Sequence, residues 1–394
     1  MDGIPNTHEE IQKNMENLIP LLQKYWKKVS YEKIPLEKNT MNEEASLFIQ
    51  YIRCGGENER SLILMTGLHG IEGFVGSVMI EYFVKTILDQ LYRDYERKDS
   101  IDNNSDENHG SVFDFNLHII AGANPWGQKN KRRVNENNVD LNRNFMNDPE
   151  NFLTNKNNSY FLLDPKINSS GTVKSFGFES EMVLLRILGL VLKQGIKKFE
   201  NILLKGQQIN RKGLYYQGKE YQPATENLIK LFNPFFENSS HTVFLDLHTG
   251  FGPRYEMSLV NSSFESLSSE QMKREFNYPR IVKTSSGDFY QIDGDMIDYL
   301  YRKWKIMNNG SSFYGTTMEF GTFGDNVSGL LRSLIAVCLE NQAFFHGSRT
   351  GKIQEKVRSF FEKAYFPKET KWWNKAINDF DKACIGILKY YKFI

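Results

Sequence analysis

Apolar residues recur along this chain with two spacings. Over residues 8–28 they fall at Ile11, Met15, Leu18, Leu21, Leu22 and Trp26, the three-and-four spacing of one helix face. Pro20 stands inside that run and predicts a kink or a split. Residues 45–53 (ASLFIQYIR) partly alternate and carry β-branched and aromatic side chains, which predicts a strand. Ser61–Met65 (SLILM) is a short apolar run ending just before Gly67, the pattern of a buried strand feeding a turn. Helical spacing resumes over Ile71–Leu91, and Phe115–Ala121 and Thr242–Leu247 are further strand candidates. Strands alternating with helices predict an α/β sandwich around a largely buried sheet.

Other stretches read as insertions or additions. Arg97–Ser111 (RKDSIDNNSDENHGS) is polar and Asn/Asp-rich, so a mobile loop is expected. Asn147–Gly171 is Asn/Ser-rich and reads as a long excursion. Met182–Leu192 is the longest kind of apolar stretch here; Arg186 interrupts it, and a buried helix is the expectation. Gly206–Pro223 is an aromatic and basic hairpin or loop, expected to pack at the surface or to wall a cleft. From about Gly351, apolar residues including Phe360, Phe361, Trp372, Trp373, Phe380 and Leu388 predict terminal helices. No internal repeat and no Pro/Gly linker divides the chain.

Composition narrows the function. Lys+Arg number 49 against 48 Asp+Glu, a formal charge of +1, so no overall attraction to nucleic acid or to an anionic membrane is expected. Aromatics at 13% and apolar residues at 40% exclude global disorder. Cys54, Cys338 and Cys384 are far apart and no Cys-x-x-Cys occurs. That excludes a disulfide framework and a thiolate zinc cluster, and suits free thiols in a reducing compartment. The N-terminal residues are polar, with no basic start and apolar stretch of a secretory signal. No apolar run reaches the ~20 residues that span a bilayer. The expectation is a cytoplasmic protein without a membrane segment.

Of seven histidines, His8, His109, His118, His241 and His346 have bland contexts. Two do not. His69 sits in Thr66-Gly67-Leu68-His69-Gly70-Ile71-Glu72-Gly73, just past a buried strand, and His248 in Phe244-Leu245-Asp246-Leu247-His248-Thr249-Gly250, also at a strand end. Ligands of open α/β sheets gather at the carboxyl ends of strands. Two imidazoles there, with Glu72 three residues after one of them, suit a zinc ion bound by three side chains with a fourth position open. A lone His-x-x-Glu is weak; the ordinary alternative is a surface histidine and a glutamate favoured by a helix N-terminus.

Two further segments add to that pattern. One is Asn124-Pro125-Trp126-Gly127 followed by Arg132-Arg133-Val134 and Asp140-Leu141-Asn142-Arg143-Asn144-Phe145; the other is Gly315-Thr316-Thr317-Met318-Glu319-Phe320-Gly321. With His69-x-x-Glu72 and Asp246-Leu247-His248-Thr249 in this order, the chain resembles the zinc carboxypeptidase superfamily. That superfamily includes the digestive-type carboxypeptidases and the aspartoacylase/succinylglutamate desuccinylase branch; the wording here is most similar to an uncharacterised, bacterial-type branch. The resemblance spans roughly residues 40–345 as short islands. It implies a single α/β domain over residues 1–394. The core, about 40–350, would be a twisted, mixed sheet of about eight strands with helices on both faces. The helix near 8–28 and the helices of 351–394 would be additions.

The resemblance also implies roles. His69, Glu72 and His248 match three ligands to one Zn²⁺. Glu319 matches the general base that takes a proton from the zinc-activated water and returns it to the leaving amine. Arg133 matches the arginine that stabilises the oxyanion, with Arg132 as the alternative. Asn142 and Arg143 match the pair that grips a substrate carboxylate. Asp140 matches a carboxylate that orients His69, and Asp246 stands where it could serve His248. Digestive-type members carry a tyrosine near the substrate carboxylate. Tyr290, Tyr299, Tyr301 and Tyr314 precede Glu319, none in a matching motif; Tyr299 is a weak candidate. The expected activity is hydrolysis of a peptide or amide bond next to a carboxylate-bearing residue. The alternative is an amidase or deacylase of N-acyl amino acids, and a third reading is a non-catalytic zinc-binding protein. No nucleic-acid or membrane partner is expected.

Overall fold

The computed structural model describes residues 3–36, 47–56, 59–102, 111–150, 152, 157–284, 293–307 and 310–394. Among these residues eight strands form one mixed sheet. They are β1 (Val29–Pro35), β2 (Phe48–Cys54), β3 (Arg60–Thr66), β4 (Asn116–Ala121), β5 (His241–Gly250), β6 (Met257–Asn261), β7 (Ile281–Lys283) and β8 (Ser312–Gly321), in the order β1-β2-β4-β3-β5-β8-β6-β7. The central β4, β3, β5 and β8 run parallel. Antiparallel joints to β2 and β6 flank them.

Strand β3, apolar from Leu62 to Met65, sits in the middle because both its faces are covered. Leu62 and Leu64 face a layer that includes Phe74, Met79 and Ile80 from the helix Gly73–Tyr82 and Trp372, Phe380 and Leu388 from the C-terminal helix Thr370–Tyr390. Ile63 and Met65 face the opposite layer, with Phe232, Phe235 and Leu300. A third apolar cluster joins Val183 and Ile187 to Leu334, Val357 and Phe361, outside the sheet.

The N-terminal helix is split as Pro20 predicts. His8–Glu16 and Ile19–Leu22 are separate turns, and the proline occupies the first turn of the second, where no amide is missed. Most strand expectations hold to within a residue or two; residues 45 and 46 of the first lie outside the described residues. Strands β1, β6 and β7 were not expected. β1 is a half-exposed edge with Glu32 and Lys33 in its interior, and β7 has only three residues.

Three expectations are corrected. Arg97–Asp102 is not loop. The helix from Gly73 continues through a π-helical turn, Phe83–Leu88, and on through Asp89–Asp102; residues 103–110 lie outside the described residues. Gly206–Pro223 forms no strand pair beyond a single bridge, Gln207 to Tyr216, and packs beneath the functional site. Met182–Leu192 belongs to the helix Phe176–Gln194, which buries only one face: Val183, Ile187 and Leu190 point inward while Leu185, Leu188 and Leu192 are exposed. All three cysteines are free and buried. Among the described residues no helix is long and apolar enough to cross a membrane.

The C-terminal helix is part of the core packing. A Cβ at Gly386 would stand 1.9 Å from the Phe276 carbonyl oxygen, so helix and neighbour touch through backbone alone. Gly386→Ala is therefore expected to destabilise the protein by about 1–3 kcal/mol, read as a lower urea midpoint with unchanged slope. An unchanged midpoint would contradict this packing.

Candidate metal centre

The site grows from the carboxyl ends of β3, β5 and β8. After Thr66 the chain turns sharply at Gly67, where φ is +83° and a Cβ would meet Gly122. His69 then stands in extended conformation before a single 3-10 turn, Gly70–Glu72. That turn is fastened to the neighbouring loop: Gly70 N donates to Arg133 O (3.2 Å) and Ile71 N to Arg132 O (2.9 Å). The approach is close enough that a Cβ at Gly70 would lie 2.1 Å from the Gly127 carbonyl carbon. On β5, His248 is the register partner of Glu319 on β8.

Three buried side chains converge. His69 Nδ1 lies 3.0 Å from Glu72 Oε1, His248 Nδ1 lies 3.0 Å from Glu72 Oε2, and the two Nδ1 atoms are 3.2 Å apart. Each ring turns its other nitrogen to a carboxylate. His69 Nε2 is 3.0 Å from Asp140 Oδ1, and His248 Nε2 is 2.7 Å from Asp246 Oδ2. Those carboxylates favour a proton on each Nε2, so each neutral ring presents its Nδ1 lone pair to the other and to Glu72. With both Nδ1 atoms unprotonated, two lone pairs face one carboxylate, which accepts from Arg133 Nη1 and Thr249 N on its outer side; a proton on His248 Nδ1 or a cation between the three groups removes the conflict. The imidazole and carboxylate donors are those a divalent transition metal takes. Among the described residues this is the one such cluster, all of its ligand atoms lying within 4.8 Å of one another.

The surroundings are strongly charged. Arg133 Nη1 lies 3.2 Å from Glu72 Oε1 and its Nε donates to Asp140 Oδ2 at 3.3 Å. Its guanidinium lies near the rings of Tyr215 and Tyr365. Burial opposes ionisation of Asp140, yet Arg133 and Arg143 hold its pKa well below the usual range. Burial likewise opposes the charge on Glu72, and the two imidazoles outweigh it, keeping that carboxyl low. Glu319 goes the other way. Burial pushes it up to about 7, with His248 opposing and Glu72 adding to the shift.

These groups open into a cavity of about 360 Å³. His69, Arg133, Asn142, Arg143 and Glu319 line it together with Ser262, Phe264, Thr284, Asp298 and Arg302. Arg143 is anchored by Nε to Leu204 O (2.9 Å) and by Nη1 to Asn142 O (3.0 Å). Asn142 is used at both ends of its amide: Nδ2 donates to Asp295 Oδ2 (3.0 Å), and Oδ1 accepts from Met296 N (2.9 Å). It therefore fixes the start of the helix Met296–Met307 as well as lining the cavity.

Other candidates fall elsewhere. Arg132 is engaged away from the metal cluster: Nε donates to Glu340 Oε1 (2.7 Å), Nη2 to Oε2 (3.2 Å), and Phe344 stacks on it. Tyr299 is buried against Phe145, in the core, and Tyr301 donates to Glu265. Tyr290 lies outside the described residues, as does His109. Sequence reasoning missed Tyr215, Tyr365, Asp295 and Asp298. Tyr215 comes from the Gly206–Pro223 segment, whose Tyr216 carbonyl accepts from Asp140 N (2.8 Å). No local motif marks any of the four.

Asp295 and Asp298 repel each other beside the cavity. Burial, then Asp295, pushes Asp298 up to about 6. A carboxyl whose folded pKa is raised costs stability above that pKa, and the cost fades below the unfolded value near 4. Asp298→Asn keeps an acceptor for Ser262 and is expected to stabilise the protein by about 1–2 kcal/mol at pH ~7.5, allowing for partial solvent screening. The gain should shrink toward pH ~4. Urea midpoints at both pH values test this, and equal destabilisation at both would contradict it.

In structure the chain is similar to carboxypeptidase A from Helicoverpa armigera, with TM-score 0.40 and 16% identity over 92% of this chain and 75% of that one. It is similar also to thrombin activatable fibrinolysis inhibitor, with TM-score 0.43 and 12% identity over 91% and 74%. A succinylglutamate desuccinylase from Silicibacter sp. TM1040 gives TM-score 0.35 and 13% identity over 81% and 67%. A search of curated proteins finds no match. A family model described as "Protein of unknown function (DUF2817)" matches residues 27–379, and the chain belongs to that family.

Proposed function

We propose that this protein is a zinc-dependent hydrolase that cleaves a peptide or amide bond next to a carboxylate-bearing residue. The observation that carries this reading is the meeting of two lone-pair nitrogens and one carboxylate, His69, His248 and Glu72, each imidazole braced from behind by an aspartate. A zinc ion held there supplies Lewis-acid chemistry, polarising a carbonyl and making water acidic enough to react near neutral pH.

The chain's own groups do the rest. Glu319, the register neighbour of His248 at the edge of the cavity, takes the proton of the attacking water and returns it to the leaving nitrogen. Arg133 offers a fixed positive charge where negative charge develops on the carbonyl oxygen; donors of this kind contribute ~3 kcal/mol. Arg143 has its Nε and Nη1 anchored to backbone, which holds the guanidinium rigid in the cavity wall to receive a substrate carboxylate. Asn142 acts mainly by holding the helix start that shapes the cavity. The rest of the cavity lining mixes polar Ser262, Thr284, Asp298 and Arg302 with apolar Phe251, Val260, Phe264 and Ile297, room for a leaving residue of either kind.

Glu319→Gln is expected to keep its metal, by elemental analysis, and to lose about 10²–10⁴ in turnover. His248→Ala is expected to lose the metal. Full turnover by metal-loaded Glu319→Gln, or equal metal content in His248→Ala and wild type, would overturn these roles. Substrate class is tested with zinc-loaded protein against blocked dipeptides and N-acyl amino acids. Dipeptide cleavage is the expected result. Cleavage of N-acyl amino acids alone would make the protein a deacylase, and full metal occupancy without hydrolysis of either would reject the enzyme reading.

A further inference from the structure

Seven of the fourteen large apolar side chains exposed among the described residues lie between Phe161 and Ile196. Leu185 (61% exposed), Leu188 and Leu192 (88%) project from the outer face of the helix Phe176–Gln194. Ile196 begins the next helix, Ile196–Leu204, and Phe161 (65%) and Leu162 end the turn Asn158–Leu162. The turn packs against the helices Asp164–Ile167 and Ile196–Leu204, and each of these packs against Phe176–Gln194. A patch of this kind on a water-facing surface marks a contact site.

The charges around it are mainly positive. Lys166, Lys174, Lys193, Lys197 and Lys198 are exposed, against exposed Glu181 and half-exposed Asp164 and Glu200. Lys197 lies close enough to Glu200 to favour its charged form, and the other four lysines form no salt bridge among the described residues. The chain as a whole is neutral to within one charge, so the excess is local. A second copy laid on this face would set lysine near lysine, which opposes self-pairing. Apolar side chains ringed by long, flexible cations suit a different occupant: the acyl–headgroup boundary of an anionic bilayer. The leucines and phenylalanine enter the acyl region, and the ammonium groups stay at headgroup level. We propose that this face docks the protein on anionic lipid surfaces. The helix that begins with Ile196 ends at Leu204, whose carbonyl holds Arg143, so the docked elements lie directly behind the cavity wall. The proposal does not rest on the hydrolase reading.

The test is co-sedimentation of the full-length, metal-loaded protein with vesicles of phosphatidylcholine containing about 30% phosphatidylserine, against vesicles of phosphatidylcholine alone. Partitioning is expected to be at least about tenfold stronger on the anionic vesicles and to weaken with salt. Leu185→Glu/Leu192→Glu and, separately, Lys193→Glu/Lys197→Glu/Lys198→Glu should each abolish it while leaving the thermal midpoint unchanged. No anionic-vesicle binding by the wild type, or binding that survives in both variants, overturns the proposal. So does a concentration-dependent dimer that Leu185→Glu/Leu192→Glu dissolves, since that makes the face a self-association surface.

Discussion

The contact on which the site depends is a repulsive one. Two imidazole nitrogens 3.2 Å apart both face one carboxylate. Left to themselves they would separate. They are held because each ring is pinned on its far side, His69 by Asp140 and His248 by Asp246. Asp140 is in turn held by Arg133 and by the Tyr216 carbonyl that accepts from its backbone amide. Preorganisation of this kind would favour a cation, because the three side chains would lose little freedom on its arrival.

The sheet explains why the pinning works. β3, β5 and β8 are adjacent and parallel, so their carboxyl ends lie side by side at one edge. His248 and Glu319 are register neighbours on two of them, and His69 leaves the third after a turn that only glycine makes without strain. Side chains separated by 179 and 71 positions along the chain thus meet on rigid backbone, with loops only bracing them from behind.

How much of this was legible in the sequence follows from what each feature depends on. The central strands were legible because burial on both faces leaves an unbroken apolar run, as in Ser61–Met65. The edges were not: β1 carries Ser30, Glu32 and Lys33 among its apolar residues and shows no clean alternation, and β7 is too short to carry a pattern. His69, Glu72, His248 and Glu319 could be singled out because they lie in short islands at strand ends. The residues that brace and shape the site were hidden. Tyr215, Tyr365, Asp295 and Asp298 reach it through folding of distant segments, and nothing local distinguishes them from ordinary aromatic or acidic residues. The outward leucines of Phe176–Gln194 misled for a related reason. Composition shows that a helix is apolar, but the number of its faces that find cover depends on what packs against it.

Charge balance ties the metal reading to the fold. Glu72, Asp140, Asp246, Asp295 and Glu319 gather around Arg133 and Arg143. Carboxylates outnumber guanidiniums here, an excess that a divalent cation would reduce. Burying uncompensated charge is among the costliest things a fold can do. Without the ion the chain has two remedies, and both are visible. Glu319 retains its proton to near neutrality, and the His248 ring is driven toward its protonated form, burial opposing and Asp246 and Glu72 prevailing. A proton on that ring removes one lone pair but occupies the position where an ion would bind. Protons and metal would therefore compete for the same excess of negative charge, so metal affinity should strengthen as pH rises through the range where His248 gives up its proton.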